Sequence, residues 1–465
     1  MTSRIPRTPA PGASRLLVVG ILTAVLATAF ESYGTLTAMP AAASRFGRMD
    51  LYDYAFTTFM IFQVMAIVIG GRLCDRIGSV APMAGGMAVF TAGLIGAGAS
   101  VSMHMLLVMR AVQGLGAGLA NVALMVLIGR VFDDERKPAM MSAFSFCWVL
   151  PSFAGPPVAA FVTERLGWHW VFWGLIPVVV FALGIGWAPL MRVRERDRAA
   201  IVERADDPAG APVPLWAAAC AALGAAMIQY AGHRLDRVSV IVALMALVLL
   251  VRLAIPALMP AGFLRLGRGL PSVMATRGLE NGAFIASETY LLLILTQEHG
   301  MNLGRSSLIL CTGSITWALS SWAQSQRWMR GRMRRDRIIV LGAWLCTGGV
   351  ALMLVCALAR ALPVPVLIIG YGIGGFGMGL VASSTSLAVM ALSDPAVLGR
   401  STSSLQVSEG LLNSLITGVA GSAYAIGSPT GDWPIVFGSV LAVTTAAAVI
   451  GLVSAVRTGP VHDPA

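Results

Sequence analysis

Long apolar segments follow one another along almost the whole chain, and this feature constrains the fold more than any other. A helix needs about 20 mostly apolar residues to cross a bilayer, because each residue adds about 1.5 Å to its length. Fourteen such segments can be read in the 465 residues. They are Leu16–Pro40, Tyr54–Gly70, Val80–Ala99, Met105–Val131, Pro138–Phe161, Trp170–Leu190, Leu215–Ala231, Val238–Leu258, Leu270–Leu295, Ser306–Trp322, Ile338–Ala359, Val364–Leu392, Ser401–Ile426 and Trp433–Val456. The pattern predicts an all-α polytopic membrane protein with fourteen transmembrane helices.

The composition excludes several other classes of protein. Charged residues make up 12% of the chain, whereas a soluble domain carries about 25%. The six cysteines are dispersed, without metal-type pairs, and the five histidines lie in the tail, in loops or at the ends of apolar segments. No hydrolase or metalloprotease motif is present in the sequence. We therefore expect a protein that is not an enzyme and that needs no metal and no cofactor.

The basic residues predict the orientation of the chain in the membrane. With both termini in the cytoplasm, the inner tails and loops hold 24 basic residues and the outer loops hold 7. Cytoplasmic loops retain arginine and lysine, so this bias favours the bacterial cytoplasmic (inner) membrane with both termini inside. The arginine-rich run 327–337 then contacts anionic headgroups, and we expect no nucleic-acid partner. The expected partners are the lipid bilayer, a small-molecule substrate and protons, with the chain acting as a monomer.

Three groups of motif residues resemble a known transporter family. The loop Gly71–Gly78 reads G-x-L-x-D-R-x-G, with Gly71, Asp75, Arg76 and Gly78 as its fixed positions. The fourth segment reads L-x-x-x-R-x-x-Q-G-x-G around Arg110 and Gln113. The fifth contains Gly155, Pro156 and Pro157, and its prolines predict a helix kink. These patterns resemble the major facilitator superfamily, and Gly155-Pro156 matches part of its drug-antiporter motif.

The number of segments and the first segment refine this resemblance. Phe30–Pro40 is similar to the first span of the fourteen-span drug:proton antiporter group, with Glu31 where that group has aspartate. The resemblance implies two six-helix bundles, at residues 1–190 and 270–456. It also implies a cytoplasmic linker at 191–214 and an additional helix pair at 215–258. It further implies a gating loop in which Asp75 pairs with Arg130, although a loop aspartate also commonly caps a helix.

Charged residues inside apolar segments are the main candidates for function. An ionisable group in a membrane segment is costly and marks an ion or substrate pathway by default. Six such residues lie well inside the apolar segments: Glu31, Arg110, Arg277, Glu280, Glu288 and Glu409. Glu31, Arg110, Glu280 and Glu409 are the proton-coupling candidates, and the resemblance implies that Glu31 and Arg110 meet. The alternatives are a structural hydrogen bond for Glu31 and mutual neutralisation of Arg277 and Glu280.

Polar side chains at similar depth are candidates for a substrate cavity, although helix packing explains a polar stripe nearly as well. They are Tyr33, Gln113, Asn121, Asn281, Glu288, Gln406 and Asn413. The favoured function is secondary active transport by alternating access, with proton-coupled efflux of drug-like amphipathic or cationic compounds. One alternative is proton-coupled uptake of a small metabolite. Another is a membrane sensor or scaffold that transports nothing.

Overall fold

The computed structural model describes residues 15–48, 51–203, 214–232, 237–301, 303–359 and 362–461, and this part of the chain is helical without a strand. Fourteen main helices follow one another in chain order. They are α1 (Arg15–Arg45), α2 (Tyr52–Ile77), α3 (Val80–Gly98), α4 (Met103–Val131), α5 (Lys137–Arg165), α6 (Ile176–Glu203), α7 (Leu215–Gly232), α8 (Arg237–Leu249), α9 (Leu270–Leu293), α10 (Leu303–Ser325), α11 (Arg335–Leu358), α12 (Val364–Leu392), α13 (Leu398–Gly427) and α14 (Trp433–Val456).

Short elements extend or join these helices. A turn of helix at His169–Trp173 precedes α6. One π-helical turn, Leu250–Ala254, carries α8 into Ile255–Leu258, and another, Ile294–Glu298, extends α9. The basic stretch between α10 and α11 forms one turn of helix at Arg327–Arg330. Helix α5 is continuous through its three internal prolines.

The all-α prediction is confirmed, and the chain is an integral membrane protein. Each predicted apolar segment lies largely within one helix or its direct extension. Within the described residues, ten helices are long and apolar enough to cross a membrane, so the count of fourteen crossings stays a prediction. Helix α6 continues to Glu203, so the first half of the predicted linker is helical, and its residues 204–213 lie outside the described part.

Close helix packing through glycine organises α1–α6 and α9–α14 in the same way. Helix α4 packs on α2 and α3, and α12 packs on α10 and α11. A Cβ atom on Gly116 of α4 would lie 2.3 Å from the backbone nitrogen of Phe90. A Cβ atom on Gly377 of α12 would lie 2.3 Å from the nitrogen of Cys346. Only glycine permits these approaches, which explains the glycine-rich segments by packing.

The two sets of helices contact each other through α2 with α13 and through α5 with α10. We call the end of the molecule where α2 ends and α13 begins the gate end. Helix α7 packs on both α2 and α13. The division into two bundles, a linker and an extra pair stays a prediction.

Candidate functional site

A buried ion pair joins α1 to α4. Glu31 and Arg110, which are 1% and 3% exposed, meet through Arg110 Nη1 and Glu31 Oε1. Thr35, one helical turn after Glu31, donates its hydroxyl to the same oxygen at 2.9 Å. A buried arginine is tolerated only when its charge is compensated and its donors are used. Glu31 supplies most of that compensation here.

The other contacts of Arg110 fix its position. Its Nε donates to the carbonyl oxygen of Ala55 on α2 at 3.2 Å, and its guanidinium carbon lies 4.4 Å from the ring centroid of Phe59. Arg110 Nη1 also donates to Gln113 Oε1, while Gln113 Nε2 donates to the Gly93 carbonyl on α3 at 3.2 Å. Gln113 was predicted to line the substrate cavity. The structure instead makes it a fully buried partner of Arg110.

A second cluster forms where α1 approaches α9, α10 and α12. The partly buried carboxyl of Glu288 accepts a hydrogen bond from the hydroxyl of Tyr371, and it lies near enough to Tyr33 and Cys311 to interact with them electrostatically. Tyr371 also donates its hydroxyl to the Leu310 carbonyl oxygen at 3.2 Å. The cluster therefore combines a side chain from the first half of the sequence with several from the second half, around one acid.

Aromatic rings and one glycine shape this second cluster. Phe284 stacks on Tyr371 with centroids 5.3 Å apart, and Trp317 contacts the Phe284 ring edge-on at 5.9 Å. A Cβ atom on Gly155 of α5 would lie 2.9 Å from Tyr33 Cβ, so this glycine lets Tyr33 sit against α5. Acidic and aromatic groups together favour an organic cation.

At the gate end, Asp75 connects α2 to the start of α13. Its two oxygens accept hydrogen bonds from the backbone nitrogens of Gly399 and Arg400 at 2.7 and 2.8 Å. These nitrogens belong to the first turn of α13, where the helix dipole also favours an anion. A Cβ atom on Gly71 would lie 2.5 Å from the Gly399 carbonyl oxygen. Asp75 thus acts as the cap of a helix that belongs to the other half of the chain.

Arg130 lies between two aspartates at this end. Its guanidinium is 3.6 Å from Asp75 and 3.6 Å from Asp197, and its Nη1 donates to the Cys74 carbonyl at 3.1 Å. Asp197, near the end of α6, accepts from both the backbone nitrogen and the hydroxyl of Ser79 at 2.9 and 3.0 Å. The predicted pairing of Asp75 with Arg130 is present, and Asp197 extends it. Arg76, a predicted member of the gating loop, is exposed.

Serine side chains join α5 to α10 near the same end. Ser145 donates its hydroxyl to Ser321 Oγ at 3.0 Å, and Ser321 and Ser383 share a hydrogen bond of 2.9 Å. Ser142 also donates to the Ser321 carbonyl. Two hydrogen-bonded contacts, one charged and one neutral, therefore hold the two halves together at the gate end.

The remaining predicted residues do not converge on one site. Arg277 binds Glu409 on α13 at 3.0 Å, so the alternative that it neutralises Glu280 is wrong. Glu280 is buried with neither carboxyl oxygen hydrogen-bonded among the described residues. A Cβ atom on Gly451 of α14 would lie 2.8 Å from its Oε1. Glu280 therefore lies within the packing of α9, α11 and α14, apart from the Glu31 pair.

The polar stripe on α13 is only partly paired. Gln406 has no hydrogen-bond partner for either amide atom among the described residues. Asn413 accepts from Thr417 at 3.2 Å on its own helix. Asn281 is buried on α9, and Asn121 is partly buried on α4. None of the contacts given above joins these four side chains to the Glu288 cluster.

Sequence reasoning singled out Tyr33 and Glu288, but not Asp197, the serine contact or the other aromatic residues of the cluster, which are Phe284, Trp317 and Tyr371. Asp197 lies in a charged stretch with several arginines, and an acid among bases was the available signal for it. Ser142, Ser145 and Ser321 carry no such signal, because serine is common in membrane helices. Thr35 could have been found, since it follows Glu31 by four residues on one helix face.

The geometry agrees with a comparison of the sequence with protein-family models. The model described as Major Facilitator Superfamily matches residues 21–330. The chain belongs to the Major Facilitator Superfamily. Among characterised relatives, it is 26% identical over 168 residues to the multidrug transporter protein MdtP of Bacillus subtilis (strain 168), covering 36% of this chain and 31% of the relative. It is 25% identical over 170 residues to the multidrug efflux pump SdrM of Staphylococcus aureus (strain N315), covering 37% and 38%. These matches thus span about a third of each relative.

Solved structures share the fold at low sequence identity. The human organic anion transporter MFSD10 has a TM-score of 0.67 at 14% identity, covering 97% of this chain and all of that one. The proton:xylose symporter XylE has a TM-score of 0.65 at 12% identity, covering 94% of each chain. At such identities the likeness shows a common fold for this whole chain.

Proposed function

We propose that the chain exports amphipathic organic cations in exchange for protons, by alternating access across a bacterial cytoplasmic membrane. The observation that carries this proposal is that α1 belongs to both clusters. Glu31 binds Arg110 inside α1–α6, and Tyr33, two residues later, faces Glu288 of α9. Glu31 therefore lies within one helical turn of Tyr33, so a change of charge at Glu31 takes place next to the substrate cluster.

The proton enters this scheme through the Glu31–Arg110 pair. A proton on Glu31 removes the charge that compensates Arg110, and breaking a buried pair costs about 3–5 kcal/mol. Arg110 then retains the Ala55 carbonyl, the Gln113 amide and the Phe59 ring. A movement of α1, which also moves Tyr33, can relieve the unfavourable energy of the uncompensated Arg110 charge.

The substrate enters through the Glu288 cluster. A carboxylate beside tyrosine hydroxyls and stacked rings can hold a monovalent organic cation by charge and by cation–π contact, worth about 0.5–2 kcal/mol per ring. The relatives named as multidrug transporters support drug-like substrates, and the acidic and aromatic lining is the argument for a cation. Glu409, paired with Arg277, is the second candidate for proton coupling.

Opening and closing of the gate end produce the alternating access. Asp75 on the start of α13 and the serines between α5 and α10 hold this end closed. Opening it separates Asp75 from Gly399 and leaves Arg130 to compensate the freed carboxylate. We take the gate end as cytoplasmic, with both termini on that side, because of the basic loops.

The test uses purified protein in liposomes with an imposed pH gradient. Wild type should move a cationic dye against its gradient when the opposite compartment is acidic, and an anionic dye of equal size should not move. Glu31→Gln should lose the response to the pH gradient and keep dye-for-dye exchange. Glu288→Gln should lose both, since it removes the cation-binding charge.

Glu164→Gln is the matched control, because Glu164 is an exposed acid at the end of α5. It should behave as wild type. Normal pH-driven accumulation by Glu31→Gln refutes the proton role. Dye movement along with protons indicates the uptake alternative, and absence of any flux favours the sensor or scaffold.

A further inference from the structure

The hydroxyl group of Tyr371 on α12 has one proton and two acceptors. It donates to the carbonyl oxygen of Leu310 on α10 at 3.2 Å, and the carboxyl of Glu288 on α9 also accepts a hydrogen bond from it. A phenol has a single O–H group, so only one of these acceptors is fully served at a time. The O–H bond can turn about the C–O bond while the ring stays where it is. The geometry therefore gives this proton two positions.

The ring of Tyr371 is held in place by its neighbours. It is buried and stacks on Phe284, with the two ring planes 3° apart. A Cβ atom on Gly313 of α10 would overlap the hydroxyl oxygen of Tyr371. A larger residue at this position would push the hydroxyl group away from its acceptors. Gly313 is thus a positioning residue for the hydroxyl group.

The ionisable groups that face Glu288 are two hydroxyls and a thiol, which belong to Tyr33 of α1, Tyr371 of α12 and Cys311 of α10. Ionisable side chains of the other helices packed on α9 have contacts elsewhere: Glu409 with Arg277, Tyr424 with Tyr290, and Cys346 with Glu280. Helix α14 contains no ionisable side chain. A hydrogen bond donated to a carboxylate favours its ionised form. Tyr371 therefore stabilises the charge of Glu288.

From this geometry we propose that Tyr371 keeps Glu288 ionised while the site is empty, and that it releases the carboxylate to an organic cation by turning its O–H group to the Leu310 carbonyl. The turned hydroxyl group then presents its oxygen, an acceptor, to the cation. A protonated Glu288 makes only the neutral form of the hydrogen bond with Tyr371, which is about half as strong. The cation and the coupling proton consequently bind different acids, Glu288 and Glu31, a consequence that rests on the proposed function.

Infrared spectroscopy of the reconstituted protein tests the role of Tyr371 without any substrate. The absorption of a protonated carboxyl group that is missing in Glu288→Gln belongs to Glu288, and a pH titration gives its midpoint. Tyr371→Phe keeps the ring and should raise this midpoint by about one pH unit, because a hydrogen bond to a charged group is worth about that much. An unchanged midpoint overturns the proposal, as does a Glu288 that stays protonated at alkaline pH in wild type.

Variants of glycine and of a second tyrosine separate this role from a general disturbance. Gly313→Ala should raise the midpoint as well, and the double variant should exceed Tyr371→Phe by no more than about 0.3 pH unit, because both changes remove one hydrogen bond. Tyr424→Phe and Gly348→Ala are the matched controls. The Tyr424 hydroxyl donates to Gln297 at 3.1 Å, and a Cβ atom on Gly348 would meet no atom within 4 Å. Additive shifts, or an equal shift in the controls, overturn the proposal.

Binding of a cationic dye, followed by fluorescence, tests the link with transport. Tyr371→Phe should bind the dye about tenfold more weakly at acidic pH, where protons compete for Glu288, and within threefold of wild type at alkaline pH. An equal loss at every pH overturns the proposal. If wild type binds no cationic dye while the infrared midpoint shifts as stated, the proposed function fails and the role of Tyr371 in keeping Glu288 ionised stands.

Discussion

Replacing Asp75 by asparagine should open the gate end. Asp75 accepts two backbone hydrogen bonds, from Gly399 and Arg400, at 2.7 and 2.8 Å. A hydrogen bond to a charged group contributes about 1.5–3 kcal/mol, against about 1 kcal/mol for a neutral one. Asparagine has the same shape but one acceptor oxygen, and its neutral amide gains nothing from the helix dipole. We estimate a loss of about 2 kcal/mol, which is about a thirtyfold change in the ratio of closed to open protein.

Spin labels at the exposed residues Ile77 and Leu392 report this ratio, because they end α2 and α12 at the gate end. Double electron–electron resonance in nanodiscs should show a short-distance population that falls in Asp75→Asn. The control is Asp134→Asn, since Asp134 pairs with Lys137 within the same half at 2.6 Å. A shift below threefold, or an equal shift in the control, would refute the reasoning.

Three further predictions follow from single contacts. Gly155→Leu should displace Tyr33 and lower the apparent affinity for a cationic dye about tenfold in a fluorescence titration, with a smaller effect for alanine, because a Cβ atom there already lies 2.9 Å from Tyr33. Asp197→Asn should lower the free energy of unfolding by about 1–2 kcal/mol in thermal unfolding, since it weakens a cap and an ion pair. Glu280→Gln should keep pH-driven transport within twofold of wild type, whereas a large loss would mean that Glu280 carries the proton.

The sequence predicted the helices well because their signal is local. Apolar segments and their flanking charges lie within about 25 residues, so each helix could be located without knowledge of its neighbours. Glu31 and Arg110, which are 79 residues apart, could be matched because the family resemblance implies that their two segments lie side by side. Charge alone could not have matched them, since the apolar segments hold four acids.

Other contacts could not be predicted because several partners satisfy the same need. Arg277 has Glu280 one turn away on its own helix, yet it binds Glu409, which is 132 residues away. Only the crossing of α9 and α13 decides between these acids. Asp197 binds Ser79 over 118 residues, and its role depends on α6 continuing as a helix into a stretch that reads as a charged linker.

The pairing of the charges also bears on the charge of the substrate. The embedded residues number four acids and two arginines, but the two ion pairs are each neutral and join helices within one half of the protein. Of the two acids that remain, Glu280 is fully buried within the packing of α9, α11 and α14. Glu288 is only partly buried and lies near side chains from both halves. One available carboxylate balances one positive charge, so a monovalent cation should be preferred over a divalent one of similar size, because the second charge would be desolvated without a partner.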